Sequence, residues 1–476
     1  MSDKIRLGNF LELSYEELET KNIEAAESGL SMEEASKKYR DYLAGESRIK
    51  AVTICFSNIE GRLHMLDYDK KFFLKSHDNL TFDGSSIRGF SELHESDLRL
   101  SVDWQSIVWL PADVFGPGKV VFFASVLDRK GTPYESDFRA QLALYTENLK
   151  TKEGLEAFVA AEIEGFLLEG VDAEQSFTEQ TGFNLISSGG YYHSLPLDRL
   201  RQFVDATAEI QRAMGFKNEK DHPEVAPAQF EINFSYAPVL RACDRIQLYK
   251  LICRQIANTQ GMTATFLPKP IAGINGSGMH TNLSLAKAGK NIFYAPTGTD
   301  GLSEIAWNFI NRLLNHAPEL CLILNSSVNA YRRLDPNFEA PNQIKVSAND
   351  RGSMIRIPFG NKNTARIEVR SVGPDANPYL TAFALLKTGL EGTPLAQEVE
   401  KRPRLRYLPS TIADAIRLYK ASDFITEILG EKSKEKYLFY KQASADRNPR
   451  ELGSTIKTLE IIHHHEVTNQ LLWNSF

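Results

Sequence analysis

Three segments of the sequence place acidic side chains in stretches that otherwise have the pattern of buried strands. In the first, 158–168 (FVAAEIEGFLL), Glu162 and Glu164 are two residues apart, so on a strand both side chains project from one face. Carboxylates this close repel each other unless a cation lies between them, one carboxyl keeps its proton, or water surrounds the face. For any single pair, the solvated face of an antiparallel sheet is the more common explanation.

The second segment, 224–233 (EVAPAQFEIN), repeats this pattern with more oxygen ligands. Gln229, Glu231 and Asn233 alternate along the predicted strand, and Glu224 lies just upstream. Because alternate residues of a strand share a face, their oxygen atoms converge on one side of the sheet. The sequence therefore contains a second candidate group of hard ligands.

The third segment, 365–370 (ARIEVR), places Arg366, Glu368 and Arg370 on one face. This mixture can hold a metal and an anion together, although a cross-strand ladder of ion pairs would have the same pattern. His280 follows a glycine-rich stretch and is either a single imidazole ligand or a hydrogen-bonded structural histidine. Oxygen ligands with one imidazole favour Mg²⁺ or Mn²⁺ over zinc or copper.

Several loops have compositions that suit ligand binding. The stretch 266–282 contains three glycines, which would let the backbone approach a carboxylate or a phosphate, although such glycines usually serve a turn. We predict that 325–349 is a long irregular segment, and such loops are usually functional or disordered. Residues 82–90 (FDGSSIRGF) form a polar turn, and the run His463–His465 fits a solvated helix face better than a metal site.

The elements that must position these residues are a mixture of strands and helices. Two capping boxes, Ser14-x-x-Glu17 and Ser31-x-x-Glu34, predict two helices before residue 48. Short β-rich runs follow at 51–56, 62–66 and 119–126, with a domain boundary near 132–136 and a helix from about Asp137. Later helices are predicted at 239–260, at 377–389 and from 411 onward, and a core-facing stripe is predicted from Leu302 through Ile305 to Leu314.

Composition excludes several classes of protein. The chain has 476 residues, 55 Lys and Arg against 61 Asp and Glu, and a net charge of −6, which argues against nucleic acid or an anionic membrane as an obligatory partner. No apolar run reaches the length of a membrane span, and the start of the chain does not resemble a signal peptide, so we expect a cytosolic protein. The four cysteines lack metal-binding spacing. Neither a P-loop nor a Rossmann fingerprint occurs.

Seven motifs in order along the chain resemble glutamine synthetase of the bacterial type I class, from about residue 50 to 390. They are FDGSSIRGF (82–90), HESD (94–97), EVAPAQFEI (224–232), KPIAGINGSGMH (269–280), NAYRRL (329–334), FEAP (338–341) and RIEVRSVGPDANPYL (366–380). The resemblance implies an α+β chain with a helical extension (1–48), a β-grasp domain (49–132) and a catalytic domain with a curved antiparallel sheet (133–476). It also implies a homododecamer of two hexameric rings, with each active site shared between two subunits.

The resemblance also implies the site residues. Glu164, Glu224 and Glu231 would hold one divalent cation, and Glu162, His280 and Glu368 a second. Arg333, Asn275 and Gly276 would bind glutamate, Arg351 and Arg370 would stabilise the phosphoryl group, and Arg356 would contact the nucleotide. Asp83 would take a proton from ammonium, and Glu339 would close the ammonium site with help from Ser86 and Tyr191.

Three functions follow from this resemblance. The first is the ATP-dependent ligation of ammonia to L-glutamate, with Mg²⁺ or Mn²⁺ and a γ-glutamyl phosphate intermediate, because a carboxylate must be activated before ammonia can attack it. The second is a γ-glutamylamide synthetase that uses an organic amine, which the departures Phe230 and Ile274 from the family pattern suggest; Thr281-Asn282-Leu283 also departs from that pattern. The third is a non-catalytic relative, which loss of metal or arginine ligands would mark. Residues 404–409 lack the sequence pattern of the family's adenylylated subclass, which argues against control by tyrosine adenylylation.

Overall fold

The computed structural model describes residues 9–91, 97–175, 182–395 and 405–446. The first two helices are α1 (Tyr15–Glu27) and α2 (Met32–Gly45). Both begin at the predicted capping boxes, since Ser14 and Ser31 each accept a hydrogen bond from the third helical residue, whose glutamate returns one to the cap.

A small mixed sheet follows the two helices. Its elements are β1 (Ala51–Ser57), β2 (Leu63–Asp69), α3 (Lys70–Ser76), β3 (Leu80–Asp83), β4 (Asp97–Val102), β5 (Val108–Trp109), α4 (Ala112–Phe115) and β6 (Val120–Leu127). The strand order is β2–β1–β6–β4–β3, with β5 beside β6. The β1–β6 pair is parallel and the other pairs are antiparallel.

Both faces of this small sheet are covered. On β6, Val120 and Phe122 pack in one core with Leu18 and Tyr39 of the amino-terminal helices. Phe123, whose side chain projects from the other face, belongs to the core of the larger part of the chain. The sheet therefore lies between the helical extension and the rest of the protein.

The larger part combines helices with a second sheet. Its helices are α5 (Phe138–Asn148), α6 (Arg199–Ala213), α7 (Val239–Thr259), α8 (Glu304–Leu324), α9 (Val328–Arg333), α10 (Pro378–Glu391), α11 (Ile412–Ala421), α12 (Asp423–Leu429) and α13 (Glu431–Asp446). Its strands are β7 (Leu155–Glu169), β8 (Asn218–Pro223), β9 (Gln229–Phe234), β10 (Ala237–Pro238), β11 (Met262–Thr265), β12 (Met279–Lys287), β13 (Lys290–Asn291), β14 (Gln343–Ser347), β15 (Ser353–Arg356) and β16 (Ile367–Val369). The α+β class is confirmed.

The second sheet has an apolar face and a polar face. The described strands run in the order β14–β15–β16–β12–β7–β9–β8, antiparallel except for β14–β15, and β10, β11 and β13 pair at the sides. On β7, Val159, Ala161 and Ile163 are buried in the core, which includes residues of α7, α8 and α10. Glu162 and Glu164 therefore project from the opposite face, as the two-residue period requires.

Some local predictions were wrong. Residues 325–349 are not one irregular loop, because they contain α9, a 3₁₀ turn (Pro336–Phe338) and β14. The helix predicted to end at Gly389 continues to Glu391; a Cβ at Gly389 would lie 2.2 Å from the Phe309 ring, so glycine there allows helices to pack closely. Ile305 is 49% exposed and does not join the core.

Other predictions stand or lie outside the described residues. All four cysteines are free and buried. Within the described ranges, each helix is too short or too polar to span a lipid bilayer. The run His463–His465, the chain after 446, and His94, Glu95 and Ser96 of the HESD motif lie outside the description.

Candidate active site

A cleft of about 230 Å³ opens on the polar face of the second sheet. Thirteen of the sixteen predicted site residues line it: Glu162, Glu164, Tyr191, Glu224, Glu231, Asn275, Gly276, His280, Arg333, Glu339, Arg351, Arg356 and Arg370. Glu368 lies directly behind these residues, in contact with Arg356 and Arg370. The structure thus brings together residues that are more than 200 positions apart in the sequence.

The register of the strands explains this convergence. On adjacent strands, Glu164 is opposite Glu231, and Glu231 is opposite His222. On the other side of β7, Glu162 is opposite His280. Directly opposed side chains on one face are close neighbours, so the pairing of β8, β9, β7 and β12 assembles two clusters in one row.

The first cluster, here the His280 group, contains Glu162, His280 and Glu368. The ligand atoms of these three residues lie within 4.8 Å of one another. Nδ1 of His280 is 3.6 Å from Oε2 of Glu162 and 3.7 Å from Oε1 of Glu368. Burial, and then the charge of Arg370, lower the pKa of His280, so the imidazole is neutral, as a metal ligand must be.

The second cluster, here the His222 group, contains His222, Glu224 and Glu231, again within 4.8 Å. The family resemblance pairs these two acids with Glu164, and His222 was not predicted as a ligand. Its Nδ1 is 3.4 Å from Oε1 of Glu224, and its Nε2 is 3.5 Å from Oε1 of Glu231. The spacing His222-Pro-Glu224 contained the signal, because residues two apart in extended chain share a face.

Glu164 lies in the same cleft but is held by other contacts. Its Oε2 accepts hydrogen bonds from the Gly278 amide (2.8 Å) and from Nε2 of Gln229 (3.4 Å). Gln229 and Asn233, predicted as oxygen ligands, instead use their amide groups as donors to carboxylates, since Nδ2 of Asn233 donates to Glu231 at 2.7 Å. They support the acids rather than extend the ligand set.

The charges of the cleft are those of a cation site. Burial, and then Glu224 and Glu231, raise the pKa of Glu164, while burial and Glu231 raise the pKa of Glu224 to about 7. Buried carboxylates that repel each other in this way are stabilised by a bound cation. The oxygen-rich donor set, with the imidazoles of His280 and His222, fits Mg²⁺ or Mn²⁺.

Arginines also line the cleft, beside the His280 group. Arg370 and Arg356 both donate to the fully buried carboxylate of Glu368, Arg370 at 2.7 Å. Arg333 is 3% exposed and donates to the backbone carbonyls of Val372 and Arg370. Burial lowers the pKa of Arg333 to about 10, which still leaves the side chain charged at neutral pH.

The glycine-rich stretch packs tightly around Arg333. A Cβ at Gly278 would lie 2.4 Å from Nη2 of Arg333, and a Cβ at Gly276 would lie 2.4 Å from the Pro268 carbonyl oxygen. Any larger residue would displace these atoms. The glycines therefore allow close approach of backbone and arginine, which supports the functional interpretation over a plain turn.

Polar and aromatic side chains surround the mouth of the cleft. Glu339 has a left-handed backbone (φ 60°) and accepts hydrogen bonds from Asn275 (3.2 Å) and Arg351 (3.2 Å). Tyr191 and Tyr192 stack with their ring centres 3.8 Å apart, and both rings meet His222 edge-on. Tyr191, Tyr192, Glu339 and Arg351 are exposed to solvent.

Asp83 and Ser86 do not line the cleft of this chain. Both are exposed on the turn after β3, where Asp83 accepts hydrogen bonds from Ser85 and Ser86. The far end of the same turn is anchored, since Tyr440 on α13 accepts a hydrogen bond from the Gly89 amide at 2.9 Å. The turn is thus held in place with its acid at the surface.

The departures from the family pattern at Phe230 and Ile274 also lie away from the cleft lining. Phe230 is fully buried, and its ring fills the space that a side chain at Gly165 would need. Ile274 packs in a small apolar cluster with Phe166 and Leu168. Neither residue is among those that line the cleft.

Two family models match the chain. The model described as the glutamine synthetase β-grasp domain matches residues 48–129, and that of the glutamine synthetase catalytic domain matches residues 135–455. Among curated relatives, the glutamine synthetase of Methanosarcina mazei is 38% identical over 77% of this chain and 84% of its own length. That of Thermus thermophilus is 36% identical over 85% of this chain and 94% of its own length.

Solved structures show the same fold. The Plasmodium falciparum glutamine synthetase has a TM-score of 0.78 at 21% identity, covering 89% of this chain and 98% of its own. A structure described as a GmaS/ADP complex has a TM-score of 0.75 at 26% identity, covering 88% of this chain and 99% of its own.

Proposed function

Because the chain belongs to the glutamine synthetase family, and so is an enzyme of the ligase class, we propose that it joins ammonia to the γ-carboxylate of L-glutamate. The reaction consumes ATP, passes through γ-glutamyl phosphate and releases glutamine, ADP and phosphate. The observation that carries this proposal is the cleft in which two acidic clusters lie together with Arg333, Arg356 and Arg370. Such a site can bind cations, a polyphosphate and an amino-acid carboxylate together.

Two divalent cations, Mg²⁺ or Mn²⁺, are proposed for this cleft. The His280 group would hold one, and the His222 group together with Glu164 would hold the other. When bound, such cations offset the negative charge of the transferring phosphoryl group. Every predicted metal and arginine ligand is present, which argues against a non-catalytic relative.

The arginines would position the two substrates. Arg333 lies beside Asn275 and Gly276 and would bind the α-carboxylate of glutamate, so that its γ-carboxylate faces the nucleotide. Arg356 would contact a nucleotide phosphate, and Arg351 and Arg370 would stabilise the phosphoryl group during transfer. In this arrangement the γ-carboxylate oxygen attacks the terminal phosphorus of ATP, and ADP leaves.

The mouth of the cleft would protect the acyl phosphate. Glu339 already links Asn275 and Arg351, so its segment can close the entrance and exclude water. With Tyr191 it would also provide the negative, polar surroundings that ammonium needs. Loss of a proton from ammonium then gives ammonia, which attacks the acyl phosphate carbon and releases phosphate.

Asp83 is the proposed acceptor of that proton, and a second copy of the chain would supply it. It is exposed on a turn outside the cleft of its own chain, and a C-terminal helix anchors that turn. We therefore propose a homo-oligomer with shared sites, a dodecamer of two rings. The division into 1–48, 49–132 and 133–476 and a cytosolic location are part of the same proposal.

The experiment that tests this function is phosphate release from ATP in the presence of glutamate and Mg²⁺ or Mn²⁺. Ammonium is compared with methylamine, ethanolamine and putrescine, and the amide product is identified by mass. Preference for ammonium with glutamine formed supports the proposal. Preference for an amine would make the chain a γ-glutamylamide synthetase, and absence of turnover with every acceptor would contradict both.

Asp83→Ala separates the two chemical steps. Amide formation should fall by at least about 100-fold because general-base catalysis is lost, while phosphorylation of glutamate persists in part. Asp78→Ala, which removes another acid of the small domain, is the control. Full ammonium activity in Asp83→Ala would rule out Asp83 as the base.

A further inference from the structure

Arg366 and Asn282 form a hydrogen-bonded pair directly beside Glu162 of the His280 group. Nε of Arg366 donates to Oδ1 of Asn282 at 2.9 Å, and Nδ2 of Asn282 donates to Oε1 of Glu162 at 3.1 Å. Because arginine has no acceptor atom, its contact fixes which end of the amide is oxygen. The nitrogen end must therefore face Glu162.

This pair is itself held firmly. Asn282 is 4% exposed on β12, where it is opposite Ala160 on β7 and Glu368 on β16. Arg366 is also tied to the chain, since its Nη1 donates to the carbonyl oxygen of Thr364 at 3.1 Å. The amide therefore reaches Glu162 from a fixed point in the centre of the sheet.

Glu162 is the member of the His280 group that most needs such support. Its side chain is 23% exposed, against 8% for His280 and 0% for Glu368. Glu368 is fixed by Arg356 and Arg370. A partly exposed glutamate side chain can rotate about several bonds, whereas Mg²⁺ and Mn²⁺ require ligands at well-defined octahedral positions.

We propose that Asn282 is a positioning residue that presents one chosen oxygen of Glu162 to the cation. The amide occupies Oε1, which leaves Oε2, 3.6 Å from Nδ1 of His280, for the metal. Arg366 keeps the amide in the required orientation. This inference rests on the proposed function only in placing a divalent cation at the His280 group.

The size of the effect follows from other metal sites. Residues that hold a ligand without touching the metal typically change metal affinity by about 10- to 100-fold when they are removed. Asn282→Leu keeps the approximate volume of the side chain but removes both the donor and the acceptor. Arg366→Gln removes the charge that orients the amide and leaves Asn282 itself in place.

The test is a titration of the full-length, nucleotide-free protein with Mn²⁺, followed by the electron paramagnetic resonance signal of the free ion. In Asn282→Leu, one class of sites should weaken by about 10- to 100-fold, while the other class stays as in the unsubstituted protein. Arg366→Gln should weaken the same class by a smaller factor. Asn315→Ala, which loses a hydrogen bond to a backbone carbonyl outside the cleft, should bind Mn²⁺ normally.

Two results would overturn the inference. One is an unchanged Mn²⁺ titration in Asn282→Leu, with Arg366→Gln also unchanged. The other is a larger loss in Arg366→Gln than in Asn282→Leu, which would assign the effect to the charge of Arg366. If Asn282→Leu fails to fold, the Arg366→Gln variant tests the inference by itself. An unchanged Mn²⁺ titration in that variant would contradict the proposed role of the Arg366–Asn282 pair. Failure of the proposed function would differ, since the unsubstituted protein would then bind no Mn²⁺ in the cleft.

Discussion

At the scale of single residues, Glu368 shows how a ligand can be both structural and chemical. Its carboxylate is fully buried and accepts from Arg356 and Arg370 while it faces His280. Neutralising this carboxylate leaves the charged side chains of Arg356 and Arg370 without their partner. It also removes a ligand from the His280 group. One substitution should therefore affect both folding and metal binding.

For Glu368→Gln we expect Mn²⁺ affinity to fall at least about 10-fold and the free energy of unfolding to fall by about 3 kcal/mol. This is the lower end of the range for a broken buried ion pair, because Arg356 is partly exposed. Urea denaturation and Mn²⁺ titration measure the two effects. Glu156→Gln, a partly exposed acid on β7 of the same sheet, is the control and should change stability by less than about 0.5 kcal/mol; equal stability of both variants would contradict the prediction.

The raised pKa of Glu224, about 7, predicts how cation binding depends on pH. Below this value the carboxyl holds a proton that competes with the metal, so Mn²⁺ affinity should rise as pH increases through about 7. For the metal-free protein, the free energy of unfolding depends on pH with the opposite sign. A carboxyl with a raised pKa in the folded state stabilises the fold below its ordinary pKa, and this contribution is lost as pH rises toward 7.

Calorimetric Mn²⁺ titrations between pH 6 and 8 test this dependence. Thermal unfolding of the metal-free protein over the same range should show the melting temperature falling as pH rises, and saturating Mg²⁺ should reduce that fall. The variant Glu224→Gln should show a weaker pH dependence of both quantities. A pH-independent Mn²⁺ affinity would show that Glu224 is ionised throughout.

At the scale of elements, Asn22 on α1 joins three parts of the chain. Its buried side chain exchanges hydrogen bonds with the backbone amide and carbonyl of Trp109 and donates to the carbonyl of Ala213 at 2.8 Å. Trp109 belongs to the small sheet and Ala213 ends α6. The first amino-terminal helix is therefore an integral part of the junction between the small sheet and α6.

Asn22→Ala should lower the free energy of unfolding by about 2–4 kcal/mol, because it leaves buried backbone groups without partners. Asn258→Ala, at an exposed position of α7, is the matched control and should stay within about 0.5 kcal/mol of the unsubstituted protein. Urea denaturation measures both. A loss in Asn22→Ala no larger than in the control would mean that the extension does not brace this junction.

At the scale of the whole molecule, the cleft and Asp83 lie on different parts of the chain surface. If two subunits share each site, Asp83→Ala and Arg333→Ala should each be inactive alone but complement each other. In mixed oligomers assembled at random from equal amounts, about a quarter of the sites combine two intact halves. Glutamine formation by co-expressed, differently tagged subunits measures this recovery.

The control for that experiment mixes the two variants after separate purification, when assembled oligomers no longer exchange. Light scattering establishes the size of the assembly. No recovery in co-expressed mixtures of confirmed oligomers would show that each subunit supplies its own Asp83.

The sequence by itself determined the local features of this protein. The capping serines, the strands around Glu162 and Glu231 and the turn at Asp83 depend on neighbouring residues and on the two-residue period, so they could be predicted. The resemblance then indicated the family, which the comparisons show.

Only the tertiary structure decided which side chains meet. Strand register placed His222 opposite Glu231, brought the amide of Gln229 to Glu164 as a donor, and linked Arg366 through Asn282 to Glu162. It also buried Phe230 away from the cleft. These relations join distant segments, and one residue of register shift would turn each side chain to the other face, so spacing along the chain could not reveal them.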